Sequence, residues 1–175
     1  MEQAVTVEEV IHRNDIVFID VRSPKEFTGA SIPGAVNIPL FDNAEREELG
    51  LIYHHEGEVT ARRIALALAA PKLPALVDAV ITASGDKKPV LYCWRGGLRS
   101  RSLQIILSLA GVTAFRLLGG YRAYRRLVYH RLQNYSLQSK FAVLHGLTGS
   151  GKTAVIRELM HRGYPAIDLE ALARH

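Results

Sequence analysis

Cysteine is nearly absent: Cys93 is the only one in 175 residues, which excludes a disulfide framework and a cysteine zinc cluster. The seven histidines include no i, i+4 pair, and the adjacent His54 and His55 point apart on any regular element, so no metal site is expected. Long apolar runs are also missing, none approaching the roughly 18 residues of a bilayer span. The first residues have neither a basic n-region nor an apolar h-region. These absences predict a cytoplasmic protein with no membrane partner. With 48% apolar residues and a mean hydropathy of +0.05, the chain can nevertheless build a core, which excludes disorder.

The most informative absence is acidic. Residues 1–86 carry 14 acids and 7 bases, whereas residues 87–157 carry 13 bases and no Asp or Glu. A stretch of that length cannot pair its own cations, so an external polyanion is the expected partner, unless acids of the first half fold back over it. Arginine outnumbers lysine 16 to 6, and a guanidinium fork matches phosphate oxygens bidentately. RNA or DNA fits better than an anionic membrane, because no amphipathic helix with exposed Trp, Phe and Leu is evident.

Short β-branched runs alternate with helical spacing. Residues 16–21 (IVFIDV) read as a buried strand, followed by Ser23-Pro24-Lys25-Glu26 with a helix N-cap, a proline at the first helical position and an acid in the first turn. Residues 32–39 read as turn, strand and turn. Helices are predicted over 59–70, with Ala61, Ile64, Ala65 and Leu68 on one face, and over 75–82. Residues 90–92 and 114–118 read as strands, with a helix over 103–109 between them. The pattern predicts an α/β fold: a mostly parallel sheet with helices on both faces, occupying residues 1–135. A helix over 121–135 has a packing stripe of Tyr121, Tyr124, Val128, Leu132 and Tyr135. Arg122, Arg125 and Arg126 fall on or beside its other face, either as a solvated surface or as a nucleic-acid contact. Residues 134–139 read as a linker, and 136–175 as the beginning of a second domain.

Two segments have the form of anion cradles. In Cys93-Trp94-Arg95-Gly96-Gly97-Leu98-Arg99-Ser100 a strand ends at the cysteine, a glycine-containing loop follows, and a helix begins near Arg99. That layout sets the sulfur at a helix N-terminus beside two guanidiniums, a field that favours thiolate and a nucleophilic role. No proline interrupts the loop, so its amides can face an anion. The second cradle, Gly146-Leu147-Thr148-Gly149-Ser150-Gly151-Lys152-Thr153, is G-x-x-x-x-G-K-T between an apolar strand predicted at 141–144 and a helix, the context of a P-loop. The amides of Gly146, Thr148, Gly149, Ser150 and Gly151 would wrap a diphosphate, with Lys152 neutralising it and the Thr153 hydroxyl available to Mg²⁺. One further strand is expected at 165–168. No later acidic strand remains for a Walker B position, so the chain reads as part of a longer protein.

Asp20-Val21-Arg22, Glu26-Phe27, the string Ser31-Ile32-Pro33-Gly34-Ala35-Val36-Asn37-Ile38-Pro39 and Leu118-Gly119-Gly120-Tyr121 resemble a rhodanese domain, and they flank the cysteine loop in that family's order. The second arginine stands six positions after Cys93, one more than is usual there, and the resulting C-x5-R loop is similar to that of cysteine-dependent phosphatases. A rhodanese domain joined to a P-loop through these strings resembles the tRNA 2-selenouridine synthase family. The resemblance implies replacement of sulfur by selenium at C2 of a wobble 2-thiouridine in tRNA. It also implies selenophosphate and geranyl diphosphate as substrates, an S-geranylated intermediate, and no tightly bound cofactor. Three other readings stay open at this point: a cysteine phosphatase, a plain sulfurtransferase, and a non-catalytic module that only grips tRNA or nucleotide.

Overall fold

The computed structural model describes residues 3–136, 138 and 140–173. The chain divides into two compact units, 1–134 and 135–175. In the first, five strands lie in the order β1-β5-β4-β2-β3: β1 (Gln3–Val5), β2 (Ile16–Asp20), β3 (Val36–Asn37), β4 (Lys88–Tyr92) and β5 (Phe115–Leu117). Every pairing is parallel, with β2 and β4 in register from Ile16 opposite Lys88 to Asp20 opposite Tyr92. Parallel strands need crossovers, which the helices supply: α1 (Val7–Val10), α2 (Pro24–Gly29), α3 (Asn43–Ala69), α4 (Leu73–Ser84), α5 (Leu98–Leu109) and α6 (Gly120–Gln133).

The period of two along each strand divides the core into two layers. Ile19, Leu91 and Cys93 face α3, α4 and α5, where Leu49, Ala69, Leu76, Val80, Leu103 and Leu107 complete one cluster. Ile16, Phe18, Val90 and Tyr92 face the opposite side, packing with Val7 and Val10 of α1, Leu117, and Tyr121 of α6. Helices therefore cover both faces, as the alternation of short strands and helices predicts.

Local sequence explains the helix starts. Thr6, Ser23 and Asp42 each cap a helix with a reciprocal capping box, through Glu9, Glu26 and Glu45 respectively, and Pro24 opens α2. Two differences from expectation have physical causes. Helix α3 begins at Asn43, well before the apolar spacing at 59–70 would place it, because the Asp42 capping box starts a polar first half whose sequence carries no apolar stripe. Gly57, at φ +87°, breaks the two halves apart. The stripe predicted for α6 also stops early: Tyr121 is buried and Tyr124 and Val128 are half-buried, but Leu132 and Tyr135 are 69% and 67% exposed, since α6 runs past the packed layer.

Within the stretch Asn43–Ser84 an 18-residue window reaches the length and mean hydropathy (1.8) of a membrane span. The 3₁₀ turn Ala70–Lys72 divides it, however, and α4 packs Leu76 and Val80 into the core.

The second unit holds α7 (Lys152–His161) and α8 (Leu169–Ala173). The strands expected at 141–144 and 165–168 do not form: both segments lack regular structure, and no described strand lies beside them to complete a ladder. Leu137 and Ser139 of the expected linker lie outside the described residues.

Candidate active site

Cys93 follows the last residue of β4, and the loop Trp94–Gly97 leads straight into α5 with Gly97 as its N-cap. The sulfur is buried at 4% exposure. The Gly97 N–H points at Sγ from 3.2 Å, and the Ser100 Oγ lies 3.4 Å away. Ser100 is itself held to the Gly97 carbonyl at 3.2 Å. The Gly97 N–H and the first turn of a twelve-residue helix thus converge on one sulfur, with the Ser100 hydroxyl beside it, and the backbone donor and helix N-terminus favour negative charge there.

The back of this loop is fastened to the turn between β5 and α6. Tyr121 N–H donates to the Cys93 carbonyl at 2.9 Å, and Arg122 N–H donates to the Trp94 carbonyl at 3.0 Å. Arg116 Nη1 donates to the Gly96 carbonyl at 2.6 Å. The approach is so close that a Cβ on Gly120 would stand 2.2 Å from the Cys93 carbonyl oxygen, and one on Gly96 2.5 Å from that of Leu117. Both glycines have positive φ, +56° and +65°. This contact is the physical reason for the Gly119-Gly120-Tyr121 string: two backbones meet where no side chain fits.

Arg22 supports the same region from below. It is 1% exposed and forks onto the fully buried Asp20 carboxylate, Nη2 to Oδ2 at 2.6 Å, while also donating to the Ala30 carbonyl at 2.7 Å. Its guanidinium carbon lies 4.3 Å from the ring centre of Tyr121. Burial opposes the charge on Arg22, but Asp20 more than offsets it and raises its pKa. Burial pushes the hydroxyl of Tyr92 up as well, so it stays protonated where it receives the Ile32 N–H at 3.3 Å.

The two loop arginines have different settings. Arg95 is exposed. Arg99 forks onto Glu26, with Nη1 to Oε2 at 2.7 Å and Nη2 to Oε1 at 3.3 Å. Arg46 adds a weaker contact to Glu26 at 3.8 Å. Burial raises the carboxyl pKa of Glu26, but Arg99, the Ser23 N–H and Arg46 together outweigh it, and the net shift is downward. Sequence reasoning missed this acid from the other half of the chain as a partner of Arg99. The S-P-x-E capping pattern identifies Glu26 as a cap but carries no signal of the long-range pair.

Arg122, Arg125 and Arg126 all lie exposed on α6, and among the described residues no carboxylate pairs with them. The acids of the first half pair elsewhere: Glu26 with Arg99 and Glu58 with Arg62.

In the second unit Gly149 and Gly151 have φ of +82° and +85°, and Gly151 caps α7. Lys152 Nζ donates to the carbonyls of Gly146 and Leu147 at 2.9 and 2.8 Å, lying across its own loop. Ser150 N–H closes the turn onto the Leu147 carbonyl at 3.2 Å. Thr153 sits half-buried in the first turn of α7.

Residues 3–127 match the Rhodanese-like domain family. The chain belongs to that family. The rhodanese-like domain is similar in structure to the N-terminal domain of a Clostridium difficile 630 protein described as ATP/GTP binding. The two share 34% identity at a TM-score of 0.69, over 72% of this chain and 98% of the other. Behind the rhodanese-like domain, residues 139–175 match the tRNA 2-selenouridine synthase AAA domain. Two proteins named tRNA 2-selenouridine synthase resemble almost the whole chain. That of Bdellovibrio bacteriovorus is 38% identical over 94% of this chain and 44% of its own length. That of Cupriavidus necator is 41% identical over 91% and 43%. The rhodanese-like chain thus spans less than half the length of these curated relatives.

Proposed function

We propose that this chain is the cysteine-bearing part of a cytoplasmic tRNA-modifying transferase that replaces sulfur by selenium at C2 of a wobble 2-thiouridine. Selenophosphate is the selenium source, and the reaction passes through an S-geranylated tRNA made from geranyl diphosphate. The observation that carries the reading is the placement of Cys93 Sγ at the N-terminus of α5, facing the Gly97 N–H and the Ser100 hydroxyl. It is joined by the similarity to the named synthases over more than nine-tenths of the chain.

In this reading the Cys93 thiolate attacks the phosphorus of selenophosphate, forming an S–P bond as the P–Se bond breaks, and the amides of residues 94–97 hold the tetrahedral anion over it. The selenide released displaces the geranylthiolate at C2 of the base, and water returns the phosphocysteine to thiol and phosphate. Arg95 and Arg99 add positive charge, Arg99 with its fork shared by Glu26. The Gly146–Thr153 loop takes the diphosphate, with Lys152 transferring its hydrogen bonds from loop carbonyls to phosphate oxygens. Among the described residues no group of three His, Cys, Asp or Glu could hold a metal. Thr153 therefore offers Mg²⁺ one hydroxyl, and phosphate and water would supply the other ligands. The uncompensated arginines of α6 are the tRNA surface.

The test is mass spectrometry of tRNA nucleosides from cells lacking the gene and complemented with the wild-type or the Cys93→Ser form. Wild type restores 2-selenouridine and Cys93→Ser does not, while tRNA retention on the purified variant stays near wild type. Restoration by Cys93→Ser refutes the nucleophile.

A further inference from the structure

We propose that Trp94 is a stacking platform for an unpaired base of the RNA substrate. The proposal rests on the tRNA reading above and assigns to it a residue that neither the nucleophile nor the phosphate-binding groups account for.

Trp94 immediately follows Cys93 in the anion loop. A tryptophan that only fills space in a loop is buried, but Trp94 is 37% exposed while the Tyr121 ring next to it is 5% exposed. The two ring centres are 5.7 Å apart with planes tilted by 43°. Tyr121 in turn lies 6.0 Å from Tyr124 and carries the buried Arg22 guanidinium against its ring. Trp94 is therefore supported by a row of packed groups, with indole surface left open to solvent. Its backbone is pinned too, since its carbonyl receives the Arg122 N–H at 3.0 Å.

The surrounding charges complete a site for single-stranded RNA. Arg95 is exposed on one side in sequence, and Arg122 stands at the start of the exposed basic face of α6. An open aromatic surface flanked by guanidiniums binds unpaired nucleotides by stacking the base and pairing the phosphate. A wobble nucleotide is such an unpaired base. Stacking holds one such base at the Tyr121 side of the loop and leaves recognition of the rest of the RNA to α6.

Trp94 is the only tryptophan in the chain, so its fluorescence reports on the site directly. The probes are a short single-stranded oligouridylate carrying one 2-thiouridine and a fully abasic strand of the same length. With the 175-residue chain, the thiouridine strand is expected to quench Trp94 and to bind more tightly than the abasic strand. Trp94→Ala should weaken the thiouridine strand by about 5- to 150-fold, the range that one stacked base supports, and leave the abasic strand unchanged. Trp94→Phe, followed by anisotropy of labelled RNA, should keep most of the preference, which separates stacking from misfolding. Equal binding of both strands to wild type, or an intact preference in Trp94→Ala, overturns the platform while leaving RNA binding in place. Binding of neither strand to wild type overturns the RNA reading and the platform with it.

Discussion

Replacing Gly120 with alanine tests whether the β5–α6 turn holds the cysteine loop in place. The new Cβ would stand 2.2 Å from the Cys93 carbonyl oxygen and 2.4 Å from the Gly96 nitrogen, about 1 Å inside an ordinary C···O contact. Both obstacles are backbone, so no rotamer change relieves them. The φ of +56° adds about 1–2 kcal/mol for a residue with a Cβ. Separation of the two backbone segments also loosens the Tyr121 and Arg122 N–H bonds to the loop, at about 1 kcal/mol each. The total is about 3–4 kcal/mol, which at a urea m value near 2 kcal/mol/M moves the midpoint down by roughly 1.5–2 M. Gly97→Ala is the control, because nothing lies within 4 Å of a Cβ there and its φ is negative. It should cost under about 1 kcal/mol, the modest loss of a glycine N-cap. Urea melts of both variants, followed by circular dichroism, decide the matter. A Gly120→Ala protein as stable as Gly97→Ala would refute the idea that this backbone contact carries the loop.

Two further outcomes follow from the charged groups. The Glu26 carboxyl has a pKa below its ordinary 4.5, so its stabilisation is complete above that value and is lost as pH falls through the folded value. Glu26→Gln should flatten this part of the acid limb and cost about 1 kcal/mol at neutral pH, the scale of a partly exposed pair; an unchanged acid limb in pH-dependent melts would disprove the pairing with Arg99. Lys152→Ala should weaken binding of geranyl diphosphate and ATP about 10- to 100-fold, as expected for loss of a charge-assisted bond, and calorimetry giving equal affinities would remove the diphosphate from the Gly146–Thr153 loop.

The fold was legible in residues 16–21 and 90–92 because both strands are buried on two faces, and a parallel central strand reads as a near-continuous apolar run. Strand β1 was not legible: three residues with polar Gln3 at their start carry no pattern, and only pairing with β5 makes them a strand. The expected strand at 141–144 failed for the same reason in reverse, since an apolar run forms no ladder without a neighbour.

At the site, the sequence by itself determined that a lone cysteine would end a strand, precede a glycine-bearing loop and meet a helix N-terminus, because all of this is encoded within eight consecutive residues. It also determined the basic, acid-free stretch over residues 87–157. Only the tertiary structure decided where the charges point. It joined Arg99 to Glu26, separated by 73 positions, and left Arg122, Arg125 and Arg126 exposed on α6 with no carboxylate partner among the described residues. It packed Gly120 against the Cys93 carbonyl and supported Trp94 on Tyr121. Those contacts join segments far apart in the chain: the meeting of α2 with the start of α5 sets the Arg99–Glu26 pair, and the packing of β5 and α6 against β4 sets the other two, rather than any local preference of the residues involved.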